Sequence, residues 1–235
     1  MTFSSNALVE IIDRGALLSP IFFYLVFRLR GYKNERLNDI SRTLPSFLLD
    51  PVRRQIQSRG VKVFVNSQSG RFSSFPNART ELRPSLTRIV LSDTLEVSMI
   101  TNYLLAHELG HVVSADTFKR PILMSVFLSL GVPTIIFFDP PDKGHLVNYL
   151  GVFLVSLLAV LLISLAICHL MWKQEEYRAD RHAIKLLGIE YVLDAFALWK
   201  AVIQGTTSAG NSDERQLVIQ QINAREEAIN KFRRL

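Results

Sequence analysis

The sequence has 235 residues, of which 49% are hydrophobic, and it carries a formal net charge of +6. That length suffices for one domain with a full core, or for a smaller domain plus membrane helices. The single cysteine, Cys168, excludes a disulfide framework and any multi-cysteine metal site. The basic residues cluster beside apolar runs rather than among aromatic residues, so no nucleic-acid partner is predicted.

The first feature along the chain is a short apolar run over residues 15–27, which has no charged residue but contains Pro20. A transmembrane helix needs roughly 20 residues, so this run either crosses a locally thinned bilayer or lies in its interface. Residues 1–30 are therefore predicted to form a membrane-associated segment.

The region from residue 31 to about residue 120 combines helical and strand patterns. The stretch up to Gly60 favours helix. Runs rich in β-branched residues then predict two strands, and the polar loop between them has room for a third, shorter one. The two strands are 61–65 and 88–91, and the loop is 66–84.

A helix is predicted from Thr94 to about Ala115. Asp93 and Glu96 form a capping-box pattern in front of residues that are apolar at helical spacing. The sequence His-Glu-Leu-Gly-His, residues 107–111, lies inside this helix.

That five-residue motif has the spacing of a metal site. His107 and His111 are four residues apart, just over one helical turn, so both imidazoles project from one face and can bind one ion. Zinc suits two imidazoles, and Glu108 lies where it can act as a general base. Gly110 costs a helix on the order of 1 kcal/mol relative to alanine, which predicts a close packing partner. A catalytic zinc usually has a third protein ligand, which must come from elsewhere.

Two long uncharged runs follow the motif, 18 residues over 121–138 and 27 residues over 146–172. Each is long enough to cross a bilayer, so we predict a transmembrane helical hairpin over 121–172, with spans at about 121–138 and 148–172. Lysines and arginines flank the hairpin on its outer sides, which predicts that both flanks face the cytoplasm. The hairpin would return the chain to the side of the histidine helix.

The stretch directly after the second run supplies candidates for the missing ligand. They are Glu175, Glu176, Asp180 and His182. Residues 176–188 favour a helix, on which Glu176 and Asp180 share a face. One carboxylate can bind the metal while the other accepts a hydrogen bond from a ligand histidine. Residues 212–235 are patterned as an amphipathic helix that packs on the rest of the domain.

These motifs carry a resemblance to a known family. The sequence Ala-His-Glu-Leu-Gly-His-Val at 106–112, the hairpin, and Glu-Tyr-Arg-Ala-Asp at 176–180 resemble the HtpX-like and CAAX prenyl endopeptidase family of membrane zinc metallopeptidases. Asn77-Ala78 is similar to the start of the family's substrate-side segment. The chain departs from the family in its short N-terminal membrane part, and in lacking the His-Pro expected before the Glu-Arg of residues 212–215.

The resemblance implies a fold of the α+β class, mainly helical: a zincin-like metallopeptidase domain of the gluzincin type with a short β-sheet. Residues 31–120 and 173–235 would form this domain around the hairpin. The implied ligands of one zinc ion per chain are His107, His111 and Glu176, with Glu108 as the catalytic base and Asp180 behind a ligand histidine. Asn77 and Ala78 would contact the substrate.

The implied activity is endopeptidase cleavage of membrane or membrane-proximal proteins, as in membrane-protein quality control. A protein or peptide substrate and the lipid bilayer are the expected partners. We expect the inner membrane of a bacterium, with the active site on the cytoplasmic side. Arg215 and His182 are candidates for stabilising the oxyanion. An ImmA-type regulatory metallopeptidase, a non-catalytic zinc-containing membrane scaffold and a site-2-type protease remain open as alternatives.

Overall fold

A computed structural model of the chain describes residues 37–66, 77–83, 86–92, 97–115, 146–205 and 212–233. Within these residues the protein is mainly helical and has a small mixed sheet. The chain divides into two compact units. One consists of Asn34–Thr117 and Gln174–Leu235, and the other of Met1–Lys33 and Phe118–Lys173. The predicted N-terminal segment 1–30 lies outside the described residues.

Four strands form one sheet in the order β1-β2-β4-β3. They are β1, Leu37–Asp39; β2, Lys62–Asn66; β3, Ala78–Arg83; and β4, Leu86–Ser92. The central pair, β2 and β4, is parallel, whereas β1 and β3 run antiparallel to their neighbours. The central pair confirms both predicted strands. The prediction of helix up to Gly60 is wrong at β1, where pairing with β2 overrides a weak local preference.

The apolar side chains of the central strands explain the burial of one sheet face. Val63 pairs with Ile89, and both are fully buried. Val61 and Leu91 lie in the same core cluster. Because side chains alternate between the two faces of a strand, this spacing directs one apolar face towards the helices.

Five helices lie within the described residues. They are α1, Asp50–Ser58; α2, Ser98–Ser114; α3, Leu146–Leu187; α4, Ile189–Gly205; and α5, Ser212–Arg233. Helix α2 begins at Ser98 rather than at the predicted Thr94, behind an extended Val97 that makes no side-chain cap. The predicted capping residues Asp93 and Glu96 lie outside the described residues.

Helix α2 runs through the middle of its unit. Every residue from Ile100 to His111 is buried. Its surroundings include α1, α4, β3 and β4. A helix that is buried on all sides needs mostly apolar residues, so the polar groups on it must have partners. Those polar groups include the histidine motif.

Helix α3 joins two features that the sequence separates. The second uncharged run and the predicted helix 176–188 form one continuous helix, so the predicted start at residue 176 is wrong. Gly188 ends the helix with a left-handed φ of +89°, and its N–H donates to the carbonyl of Ile184 over 2.8 Å. Glycine adopts this conformation without a Cβ penalty.

Among the residues that the structure describes, no helix is both long enough and apolar enough to cross a membrane. The first predicted span, 121–138, lies outside the described residues, as do many side chains between 146 and 164. The predicted hairpin therefore stays a prediction.

Helix α5 confirms the amphipathic helix predicted for the C-terminal segment. Ile222 and Ile229 are buried in the core cluster, whereas Leu217 stays exposed. Its neighbour is α4. The C-terminal helix thus packs on the same unit as the histidine motif.

Candidate metal centre

Helices α2 and α3 approach each other closely at Gly110. A Cβ atom on this residue would lie 2.7 Å from the Cα atom and 3.1 Å from the carbonyl oxygen of Ala179. Real Cβ atoms do not come that close to backbone, so only glycine fits. Ala179 is the close packing partner that the sequence predicts, and it lies between Glu176 and Asp180.

This contact brings three potential metal ligands together. The Nε2 atoms of His107 and His111 are 3.2 Å apart. The Glu176 carboxylate lies 3.2 Å from His107 Nε2 and 3.6 Å from His111 Nε2. A tetrahedral zinc ion with bonds of about 2.0–2.2 Å places neighbouring ligand atoms roughly 3.3–3.6 Å apart. The three side chains therefore fit a zinc ion, and they are the described group of histidine and acidic side chains close enough to hold a metal.

Asp180 contacts the other nitrogen of the same histidine. Its Oδ1 atom lies 3.0 Å from His107 Nδ1, and it also accepts a hydrogen bond of 2.8 Å from the Tyr103 hydroxyl. A proton on Nδ1 that is donated to this carboxylate leaves the Nε2 lone pair directed at the metal position. The two carboxylates of α3 thus contact different nitrogens of the same imidazole ring.

Arg225, from α5, contacts the same cluster. Its Nε atom donates to Asp180 Oδ2 over 2.9 Å, and its Nη2 atom donates to Asp180 Oδ1 and to the Tyr103 hydroxyl. Nη2 also lies 2.8 Å from His107 Nδ1. Nη2 and a protonated Nδ1 are both donors, so they cannot form a hydrogen bond with each other. With the proton on Nδ1, the arginine therefore bonds to Asp180 and not to the histidine ring.

The charges in this cluster shift the pKa values of its members. Burial would raise the pKa of Glu176, but His107, Arg225 and His111 lower it to about 2. Burial and Arg225 would lower the pKa of His107, but the Asp180 and Glu176 carboxylates outweigh them and raise it to about 9. Without a metal ion, a proton on His107 therefore satisfies the two carboxylates.

A hydrogen bond connects Glu108 to the strand that begins at the predicted substrate segment. Glu108 is buried. Its backbone carbonyl accepts a hydrogen bond of 3.0 Å from the Thr80 hydroxyl of β3. Asn77 and Ala78 lie at the start of that strand, which forms one edge of the described sheet. The structure thus joins the strand at the predicted substrate segment to the helix of the histidine motif.

The other predicted site residues are not in the described group of side chains close enough to hold a metal. His182 is half-buried, and its Nε2 atom lies 3.0 Å from Gln55 Oε1. Arg215 lies on α5. Glu175, next to the ligand, is fully buried and lies outside the metal cluster.

Among known protein families, the sequence model of peptidase family M48 matches residues 82–226 of the chain. The chain belongs to peptidase family M48. This is the family of the HtpX and CAAX prenyl protease metallopeptidases, so the predicted resemblance is confirmed. Neither the curated proteins nor the solved structures contain a significant match to the chain.

The M48 match contains the three candidate metal ligands, Glu108 and Asp180. Membership implies a metalloprotease, a hydrolase that acts on peptide bonds. The matched residues also include Arg225 and Tyr103, which the sequence alone did not identify. One signal was available for Arg225, because it lies three residues after Ile222 and four before Ile229 on the apolar face of an amphipathic helix. A charge in such a position needs a buried partner.

Proposed function

We propose that this M48 peptidase is a membrane-anchored, zinc-dependent endopeptidase. The observation that carries the proposal is the cluster of His107, His111 and Glu176, whose ligand atoms have the separations that a tetrahedral zinc ion needs. The cluster adjoins Glu108 in a chain whose family hydrolyses peptide bonds. One zinc ion per chain would be held by these three side chains.

Each residue of the site has a defined part in hydrolysis. Zinc, when bound, supplies a Lewis acid that polarises the scissile carbonyl and lowers the pKa of a water molecule. The Glu108 carboxylate accepts the proton of the attacking water and then donates it to the nitrogen of the leaving amine. Asp180 keeps the proton of His107 on Nδ1, so that Nε2 stays a ligand.

Strand β3 supports the proposal that a peptide substrate binds in an extended conformation. The Ser92 N–H donates to the Asn77 carbonyl over 2.8 Å, so Asn77 and the alternate residues after it pair with β4. In an antiparallel pair the intervening residues direct their backbone groups outward. Those residues are Ala78 and Thr80. The N–H of Ala78 already donates a hydrogen bond to Asn77 Oδ1.

A substrate strand would therefore pair mainly with the backbone of Thr80 and the carbonyl of Ala78. Such pairing with a sheet edge tolerates many side chains. The hydroxyl of the same Thr80 bonds to the backbone of Glu108, which would hold the scissile bond near the catalytic base.

The proposal of membrane anchoring rests on residues outside the metal site. The run 146–172 has no charged residue over 27 positions. On helix α3, apolar side chains between 155 and 170 are more than half exposed: Val155, Leu158, Leu162, Ile163, Leu165 and Leu170. Apolar surface of this extent needs a cover, and lipid acyl chains provide one. We therefore propose an inner-membrane protein with its active site on the cytoplasmic side, acting on membrane or membrane-proximal proteins in quality control.

Carbonate extraction of membranes tests the anchoring separately from the chemistry. We expect the protein to stay in the membrane pellet. Release into the carbonate supernatant would contradict anchoring and favour the ImmA-type alternative, because a peripherally bound protein loses its electrostatic contacts at high pH.

Metal removal tests the chemistry. Detergent-purified protein should cleave casein, lose that activity on dialysis against a chelator, and regain it with one equivalent of zinc. Activity that survives complete removal of metal would contradict a zinc peptidase. Zinc binding without any cleavage would favour the scaffold. The membrane proteomes of cells with the native protein and with Glu108→Gln would then identify substrates as proteins that accumulate in the variant.

A further inference from the structure

We propose that Arg225 is a positioning residue that sets the zinc affinity of the site from outside the ligand sphere. The guanidinium holds the Asp180 carboxylate against His107, and so makes the docking of helix α5 a condition for tight zinc binding. This inference rests on the proposed function, because it concerns the same zinc ion.

Arg225 contacts the Asp180 carboxylate at two points. Nε and Nη2 donate to the two oxygens of one carboxylate, Asp180 Oδ2 and Oδ1. This side-on, two-point contact fixes the plane of the carboxylate as well as its distance, which a single donor does not do. The Tyr103 hydroxyl donates to the same Oδ1 atom from α2. With both donors in place, the carboxylate has one orientation relative to His107 Nδ1.

Asp180 is deeply buried, with 1% of its surface exposed. A buried carboxylate without a counter-charge is strongly destabilised and tends to move towards solvent. Arg225 supplies that counter-charge and so holds the carboxylate in place against His107.

The packing of helix α5 brings Arg225 to this contact. Ile222, Arg225 and Ile229 lie on one face of α5, and the two isoleucines are buried in the core cluster. The arginine reaches the site only while these side chains are packed. Residues from three helices, α2, α3 and α5, therefore meet at Asp180.

The sign of the change in zinc affinity on removal of Arg225 distinguishes two roles of this residue. Its Nη1 atom lies 3.8 Å from a carboxylate oxygen of the ligand Glu176. As a nearby cation alone, Arg225 would repel zinc, so its removal would tighten zinc binding. As a positioning residue, it favours zinc binding, so its removal weakens it. The two roles predict opposite signs.

The experiment measures zinc affinity by competition with a chromophoric chelator, on the full chain in detergent. Arg225→Met should weaken binding by roughly 10–100-fold, the usual effect of losing the partner of a ligand histidine. Asp180→Asn should weaken it by a similar factor. Lys231→Met is the matched control, because it removes an exposed cation of the same helix, and it should leave the affinity unchanged.

The double variant shows whether the arginine acts through the aspartate. If it does, Arg225→Met combined with Asp180→Asn should bind zinc about as well as Asp180→Asn alone. If the losses of zinc affinity in the two single variants multiply in the double variant, the proposal is contradicted. Unchanged or tighter zinc binding in Arg225→Met would also contradict it. Arg225→Lys, which keeps the charge but loses the two-point contact, should be intermediate.

Folding is checked on the same samples. The imidazole N–H resonances of zinc-loaded protein report the hydrogen bond from His107 Nδ1–H to Asp180 independently of stability. The native protein and Lys231→Met should show a strongly downfield His107 Nδ1–H resonance, and Arg225→Met should shift it upfield or lose it to exchange with water. A native resonance in Arg225→Met would contradict the proposal, because the arginine would then only hold α5 in place. Failure of the native protein itself to bind zinc would contradict the proposed function, which separates the two outcomes.

Discussion

His107 is the residue on which the site depends most, because each of its ring nitrogens faces a different carboxylate of α3. Nε2 lies 3.2 Å from Glu176, and Nδ1 lies 3.0 Å from Asp180. The sequence predicts that both carboxylates share a helical face, since they are four residues apart. The pattern alone does not decide between Glu175 and Glu176 as the ligand, because both follow the same apolar run. The family resemblance selects Glu176, and that residue lies in the cluster.

Substituting Glu175 and Glu176 one at a time distinguishes their roles. Glu176→Ala should lower zinc affinity by more than about 100-fold, because it removes one of three ligands. Glu175→Ala should keep one zinc per chain, although loss of a fully buried side chain should lower the midpoint of urea unfolding. Metal analysis after gel filtration measures both. Zinc lost from Glu175→Ala and kept in Glu176→Ala would move the ligand by one residue.

The pKa values of the ligands predict how the stability of the metal-free protein depends on pH. The pKa of His107 is raised from 6.5 to about 9, so its contribution is fully present below pH 6.5 and is lost as the pH rises through about 9. The pKa of Glu176 is lowered from 4.5 to about 2, so its contribution is present above pH 4.5 and is lost as the pH falls through about 2. This pair should stabilise the metal-free fold most between pH 4.5 and 6.5.

Urea unfolding in chelator, at a series of pH values, measures that profile. In His107→Gln the loss of stability between pH 6.5 and 9 should be smaller than in the native protein. Added zinc should stabilise the native protein more as the pH rises, because zinc binds only the neutral imidazole. Equal alkaline slopes in the two proteins would contradict the assignment to His107.

At the scale of elements, the contact between α2 and α3 determines whether the ligands meet. The sequence predicts both helices and a close partner for Gly110, because those signals are local. It misplaces the start of α2 and the start of α3, since capping patterns and changes in polarity do not record how far a helix is supported by its neighbours. Strand β1 is missed for a similar reason, because its partner β2 lies more than twenty residues further along the chain.

Gly110→Ala tests the close contact. An alanine inside a helix usually stabilises a protein by on the order of 1 kcal/mol relative to glycine. Here the new Cβ would lie 2.7 Å from backbone of α3, so we expect net destabilisation by about 1–3 kcal/mol and weaker zinc binding. Gly205→Ala is the matched control, because a Cβ there has no atom within 4 Å. A Gly110→Ala protein that is as stable as the native one would contradict the helix packing.

At the scale of the whole molecule, the site is built from distant parts of the chain. His107 and Asp180 are 73 residues apart, and Asp180 and Arg225 are 45 apart. The histidine motif could be recognised from local spacing, and the class of the fold followed from the family resemblance that this motif carries. The place of Arg225 could not, because only the packing of α5 brings it to the metal ligands. Tyr103 is similar, since its spacing marks it as a core residue and its hydroxyl finds Asp180 only in the folded chain.

We propose that the three ligands hold a zinc ion and that Glu108 performs the proton transfer. Zinc content and casein cleavage, measured on the same preparations of the native protein and of Glu108→Gln, test it most directly. We predict that the variant keeps one zinc per chain and loses cleavage by at least roughly 100-fold, the contribution of a general base. A Glu108→Gln protein that binds zinc and cleaves at the native rate would contradict the account.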